Sequence, residues 1–115
     1  LRASEYKSAY ITAKHGVIGL TKTLALEGAP YNVTCNAVCP GYVKTPLVEG
    51  QIKDQAKTHG MSENEVVEKV MLKKQAVKNF VPVEKIGEIC VFLAADNATS
   101  VSGTSFVLDG GWTAQ

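Results

Sequence analysis

Between Ser8 and about Glu27, apolar and small residues fall on two stripes. One runs through Tyr10, Ala13, Val17, Leu20 and Leu24, the other through Ile11, Ile18 and Ala25. These spacings are helical, and a helix that is apolar on two sides is buried on two sides, so the segment is expected to pack on a sheet and on another helix. Gly16 and Gly19 each weaken it by up to ~1 kcal/mol against alanine, which points to something approaching its backbone closely. Gly28 and Pro30 stop it. Val33 to Cys39 is a mostly apolar run rich in β-branched residues and ended by Pro40-Gly41, the pattern of a strand covered on both faces in a parallel sheet. Ser62 and Glu65 have the separation of a capping box and predict a helix from Ser62 to about Lys74. A further helix is predicted from about Val83 to Ala95, with Ile86, Ile89, Cys90 and Leu93 facing a core. Thr104 to Leu108 reads as a second strand, turned by Asp109-Gly110-Gly111.

The order helix, strand, long helical excursion, helix, strand is α/β wiring. Two strands cannot make a sheet that covers four helices, and a two-stranded sheet is marginal in water. The expectation is therefore part of a larger parallel-sheet domain, with helices dominating in this chain. A small α+β domain, complete as it stands, is the competing reading. The sequence opens on Leu1 rather than methionine, and the polar, unpatterned stretch to Tyr6 suggests a chain that begins in the middle of something.

Composition narrows the function classes. The 115 residues, 45% of them hydrophobic, suit one globular domain. A formal charge of +1 offers no electrostatic reason to expect nucleic acid or an anionic membrane as partner. No apolar run approaches the ~18 residues that span a bilayer. No basic-then-apolar leader is present, so a cytoplasmic protein is expected. The three cysteines, Cys35, Cys39 and Cys90, are odd in number and lack metal-type spacing; Cys35 and Cys39 read as small core hydrophobes. His15 and His59 have no ligand-like partner, so no metal site is expected.

The candidate chemistry is concentrated at Tyr10 and Lys14. Residues four apart on a helix share a face. A free tyrosine keeps its proton at neutral pH, but a neighbouring ammonium stabilises the phenolate and lets the residue take or give a proton. Alone, such a pair is also an ordinary helix face.

Its setting adds more. Ser8-Ala9-Tyr10-Ile11-Thr12-Ala13-Lys14-His15-Gly16, then Asn36-Ala37-Val38-Cys39-Pro40-Gly41, then Thr45-Pro46, and finally Gly103 with Val107-Leu108-Asp109-Gly110-Gly111 resemble the short-chain dehydrogenase/reductase family over essentially the whole chain. The resemblance implies a doubly wound, Rossmann-type fold, of which residues 1–115 form the C-terminal half of a single domain. It also implies NAD as cofactor, with NADP open. The family's glycine-rich phosphate loop, its selector between the two cofactors, its structural asparagine and its catalytic serine would all precede Leu1. Activity is accordingly assigned to a longer parent or to a complex with the missing half. The connection 46–80 is long, carries its own helices and is expected to form a lid over the substrate.

By the same resemblance, Tyr10 is the acid/base and Lys14 stabilises its phenolate and holds the ribose hydroxyls. Gly41 and Val43 meet the nicotinamide carboxamide through their backbones and Thr45 meets the pyrophosphate, with Pro40 and Leu47 in the same cofactor-binding segment. Within the family the likeness is to members that act on small hydroxy acids. Lys7 and Gln51 would bind the carboxylate, and Trp112 and Tyr42 would wall the pocket, although a tryptophan is commoner at the position of Tyr42. Lys7 lies three residues before Tyr10, so a helix extended by one turn would put both on one face. The bland readings are a solvated lysine, a surface glutamine and a terminal core aromatic. A homotetramer is implied, with the Ile11 and Ile18 stripe meeting its copy in another subunit. The alternatives are a sugar or acyl-thioester substrate, a catalytically silent scaffold, and an unrelated interaction module.

Overall fold

The computed structural model describes residues 2–114; Leu1 and Gln115 lie outside them. Six main elements follow one another: α1 (Ser8–Gly28), β1 (Ala37–Pro40), α2 (Pro46–His59), α3 (Glu63–Val66), α4 (Val83–Ala94) and β2 (Ser105–Leu108). The chain divides into two compact units, Leu1–Cys39 with Glu88–Val107, and Pro40–Gly87 with Leu108–Gln115. β1 pairs with β2. The Ala37 amide donates to the Thr104 carbonyl and the Gly41 amide to the Leu108 carbonyl, both at 2.9 Å. Both strands advance by four residues between these bonds, so the pairing is parallel, as expected.

In the first unit, α1 occupies the predicted span and buries Thr21 and Ala25. Ile11 and Ile18 are half-buried on the same side, so the second stripe is the one the chain covers for itself. The first stripe is open: Tyr10, Val17, Leu20 and Leu24 are 58, 52, 55 and 43% exposed. At Gly16 and Gly19 an added Cβ would meet nothing within 4 Å, so the expected close approach is not made among the described residues.

The strand expected from Val33 begins only at Ala37, and it is half-buried rather than covered on both faces. Asn32 takes a left-handed conformation (φ 56°), which turns the chain back so that the Val33 amide reaches the Gly28 carbonyl. Residues 35 and 36 are then held mainly through side chains, beside one backbone bond from the Gly103 amide to the Cys35 carbonyl at 2.7 Å. The Cys35 amide donates to Ser102 Oγ, and Asn36 donates from Nδ2 to the Val101 carbonyl while accepting from the Thr104 amide. On α4, Ile86, Ile89 and Leu93 are half-buried as expected, but Cys90 is exposed. At helical spacing it lies beside Ile86 at the edge of the inward stripe, on a flank that the described residues leave open.

The second unit holds a core of Ile52, Val66 and Met71, with Tyr42, Val48, Ala56, Met61 and Phe80 packed around it. Helix α2 falls in the helical excursion that the sequence predicts after β1. Its ends follow local rules: Thr45 caps it by accepting from the Val48 amide, Pro46 fills the first position, and Gly60 closes it at φ 61°. Ser62 caps α3 through the Glu65 amide, as the capping box predicts. The helix does not reach Lys74. A π-helical turn over Val67–Met71, closed by the Leu72 amide on the Val67 carbonyl, uses up the register.

Candidate active site

In the first unit, Tyr10 and Lys14 come together as their spacing requires. The Lys14 ammonium lies over the Tyr10 ring, 5.4 Å from its centroid, within the range of a cation–π contact. Both residues are exposed on the first two turns of α1. Lys7 is placed differently from its expectation. The helix begins at Ser8, and Lys7 is the non-helical residue before it (φ −129°, ψ 36°), its carbonyl accepting from the Ile11 amide. The reason is local: Tyr6 has a positive φ of 61°, which prevents another helical turn upstream. His15 Nδ1 lies 2.9 Å from the Ile11 carbonyl oxygen within its own helix. Among the described residues no cluster of His, Cys, Asp and Glu could hold a metal ion.

The second unit brings Tyr42 and Trp112 together. Their rings stack at 5.7 Å between centroids with 23° between planes. Tyr42 is fixed at the backbone because its carbonyl accepts from the Val81 amide in a parallel bridge between Val43 and Val81. Pro40 ends β1, Gly41 follows it, and the segment 41–45 runs directly into the N-terminus of α2, which Leu47 has entered. Leu47 and Gln51 lie one turn apart on the outer face of α2, away from Ile52, and both are exposed.

This segment fits a nicotinamide dinucleotide. Thr45 Oγ accepts from the Val48 amide, which leaves its own O–H to donate to a phosphate oxygen at a helix N-terminus. The Gly41 amide is spent on Leu108, so its carbonyl is what Gly41 can offer a carboxamide. On the far side Gly41 packs against Asp109, where an added Cβ would come within 3.0 Å of the Asp109 Cα. No larger residue fits there without moving this backbone.

Three side chains went unassigned in the sequence. Gln75, fully buried, donates from Nε2 to the Val77 and Asn79 carbonyls, each at 2.6 Å. Lys78 donates to the carbonyls of Leu72 (2.9 Å), Lys73 (2.8 Å) and Gln75. Asp109 is buried at the turn after β2. Only Asp109 had a legible signal, in the Asp-Gly-Gly run that marks a side-chain-capped turn.

The family described as Enoyl-(Acyl carrier protein) reductase has a sequence model that matches residues 1–113. Over 115 residues the chain is 56% identical to the D-beta-hydroxybutyrate dehydrogenase of Rhizobium meliloti (strain 1021), covering 100% of this chain and 45% of that protein. A solved short chain dehydrogenase family protein from Francisella tularensis subsp. tularensis SCHU S4 superposes with a TM-score of 0.89 at 33% identity, covering 98% of this chain and 46% of that one. A 4-hydroxyisoleucine dehydrogenase complexed with NADH superposes with a TM-score of 0.76 at 30% identity, covering 94% and 40%. The chain thus spans less than half the length of these relatives.

Proposed function

Since the chain belongs to the short-chain dehydrogenase/reductase family of oxidoreductases, we propose that it is the C-terminal half of an enzyme that converts D-3-hydroxybutyrate to acetoacetate with NAD or NADP. The fold is α/β, with helices dominating around the end of a doubly wound parallel sheet of the Rossmann type. The observation that carries the proposal is the Lys14 ammonium over the Tyr10 ring on an exposed helix face. The likeness to a D-beta-hydroxybutyrate dehydrogenase along all of this chain supports the choice of substrate.

A nicotinamide, when bound, supplies the hydride acceptor. The chain's own residues do the rest. Tyr10 takes the substrate's hydroxyl proton, and Lys14 stabilises the phenolate at that moment and holds ribose hydroxyls. Thr45 and the start of α2 receive phosphate, and the Gly41 carbonyl and Val43 backbone orient the carboxamide. Lys7 and Gln51 are assigned to the substrate carboxylate, and the Tyr42–Trp112 stack to the apolar wall of its pocket. Residues 46–80, with the core of Ile52, Val66 and Met71 inside them, act as the lid.

The test is a contrast of substrates in the full-length protein. Lys7→Ala raises KM for 3-hydroxybutyrate roughly ten- to a hundred-fold, the cost of one charge-assisted hydrogen bond, and leaves a neutral secondary alcohol of similar size nearly unaffected. Equal losses on both substrates would refute the carboxylate assignment and return the reading to the level of the family.

A further inference from the structure

The turn after β2 is organised around one buried carboxylate. Asp109 Oδ1 accepts from the Gly111 amide at 3.0 Å, and Oδ2 accepts from both the amide (3.0 Å) and the hydroxyl (2.7 Å) of Thr113. Burial pushes this carboxyl's pKa up, but the Thr113 hydroxyl and the amides of Thr113, Gly111 and Trp112 outweigh that and hold it below the ordinary value. Gly110 and Gly111, at φ 59° and 83°, let the chain wrap around the carboxylate in a conformation that other residues rarely adopt.

Trp112 lies between the two residues that the carboxylate grips. Its own amide donates to the Asp109 carbonyl at 3.2 Å, and its ring stacks on Tyr42. The same turn anchors the end of the 46–80 connection. The Gly110 carbonyl accepts from the Val77 amide at 2.9 Å, and Gln75 packs so closely on Gly110 that a Cβ there would come within 2.6 Å of its Nε2.

We propose that Asp109 is a positioning residue that fixes the Trp112 ring against Tyr42 and so sets substrate affinity without touching substrate. The second half of this proposal rests on the reading of Trp112 and Tyr42 as the pocket wall. An asparagine at 109 keeps the shape and one acceptor. It loses the negative charge, and whichever way its amide group faces, one of the turn's donors meets an N–H instead of an oxygen.

The experiment uses the full-length protein and reads Trp112, the one tryptophan of this chain, as a difference against the Trp112→Phe variant. Asp109→Asn is expected to shift Trp112 emission to the red and to open the ring to a collisional quencher. It is expected to raise KM for 3-hydroxybutyrate by about three- to tenfold, while the dissociation constant of the nicotinamide cofactor stays within about twofold. Thr113→Val gives a smaller change of the same sign, and Thr113→Ser, which keeps the hydroxyl, restores wild-type emission and KM. If Asp109→Asn does not accumulate, the Thr113 pair decides. Unchanged Trp112 emission in Asp109→Asn and Thr113→Val overturns the positioning role, as does a loss of cofactor affinity equal to that of substrate. A Trp112→Ala variant with wild-type KM overturns the pocket-wall reading and the substrate half of the proposal. The emission test, made without substrate, still judges the turn by itself.

Discussion

At Tyr10 the helix leaves more than half of the side chain in the open, and Lys14, one turn later, lays its ammonium across the ring. A phenylalanine would keep that cation–π contact and remove only the oxygen proposed to exchange a proton. In the full-length protein Tyr10→Phe is therefore expected to lower kcat by ~10²-fold or more while cofactor affinity and melting temperature change little. Steady-state turnover alongside a cofactor titration checks this, and turnover within a factor of a few of wild type would remove Tyr10 from the chemistry. This pair was legible because an i, i+4 relation needs nothing beyond the helix itself. Lys7 was only half legible: its separation from Tyr10 is a fact of sequence, but the positive φ at Tyr6 ends the helix before Lys7 can join it.

Among the elements, the helix ends follow simple capping patterns, whereas the end of the 46–80 connection is closed by side chains that bond carbonyls two to six residues away. Thr45, Ser62 and Gly60 act within a few residues of themselves, so their positions could be read from pattern. The stretch 72–79 has no such pattern. It is closed by Lys78 and Gln75, which together donate to five backbone carbonyls of the loop that follows the π-helical turn. Buried carbonyls without partners are costly, and a charged donor serving three of them is worth more than a neutral one. Lys78→Met keeps the aliphatic stem and removes the donor to the Lys73 and Gln75 carbonyls, leaving Leu72 its bond from the Gln75 amide. Peptides covering 72–80 are expected to exchange amide hydrogen about ten- to a hundred-fold faster in this variant, with peptides of α1 unchanged and Lys78→Arg intermediate. Exchange at the wild-type rate would show that the loop is held by packing alone.

At the scale of the whole molecule, the open stripe on α1 is the feature that most needs a partner. Val17, Leu20 and Leu24 stand exposed along one helix face, and scattered exposure would not produce that alignment. Proposing that the remainder of the full-length protein covers it leads to a paired test. Leu20→Glu would bury an unpaired charge and is expected to lower the melting temperature of the full-length protein by about 5 °C or more. Leu26→Glu, at a site 78% exposed and off the stripe, should stay within about 1 °C. Equal shifts would mean that the stripe is not covered. The two-sided pattern itself was written in the sequence, but which side this chain covers was not. That depends on Ala25 meeting Gly103, residues far apart in the chain. The same division holds throughout. Sequence alone determined the α/β order, the Tyr10–Lys14 face, the helix caps and the glycine turn, because each is settled by backbone sterics and hydrogen bonds within about one turn of chain. Only the tertiary structure decided the late start of β1 and the close packing around the turn at Asp109. In both of these the deciding groups are brought together by the fold: Ser102 and Val101 against residues 35 and 36, and Gly41 and the Gln75 loop against the turn at Asp109.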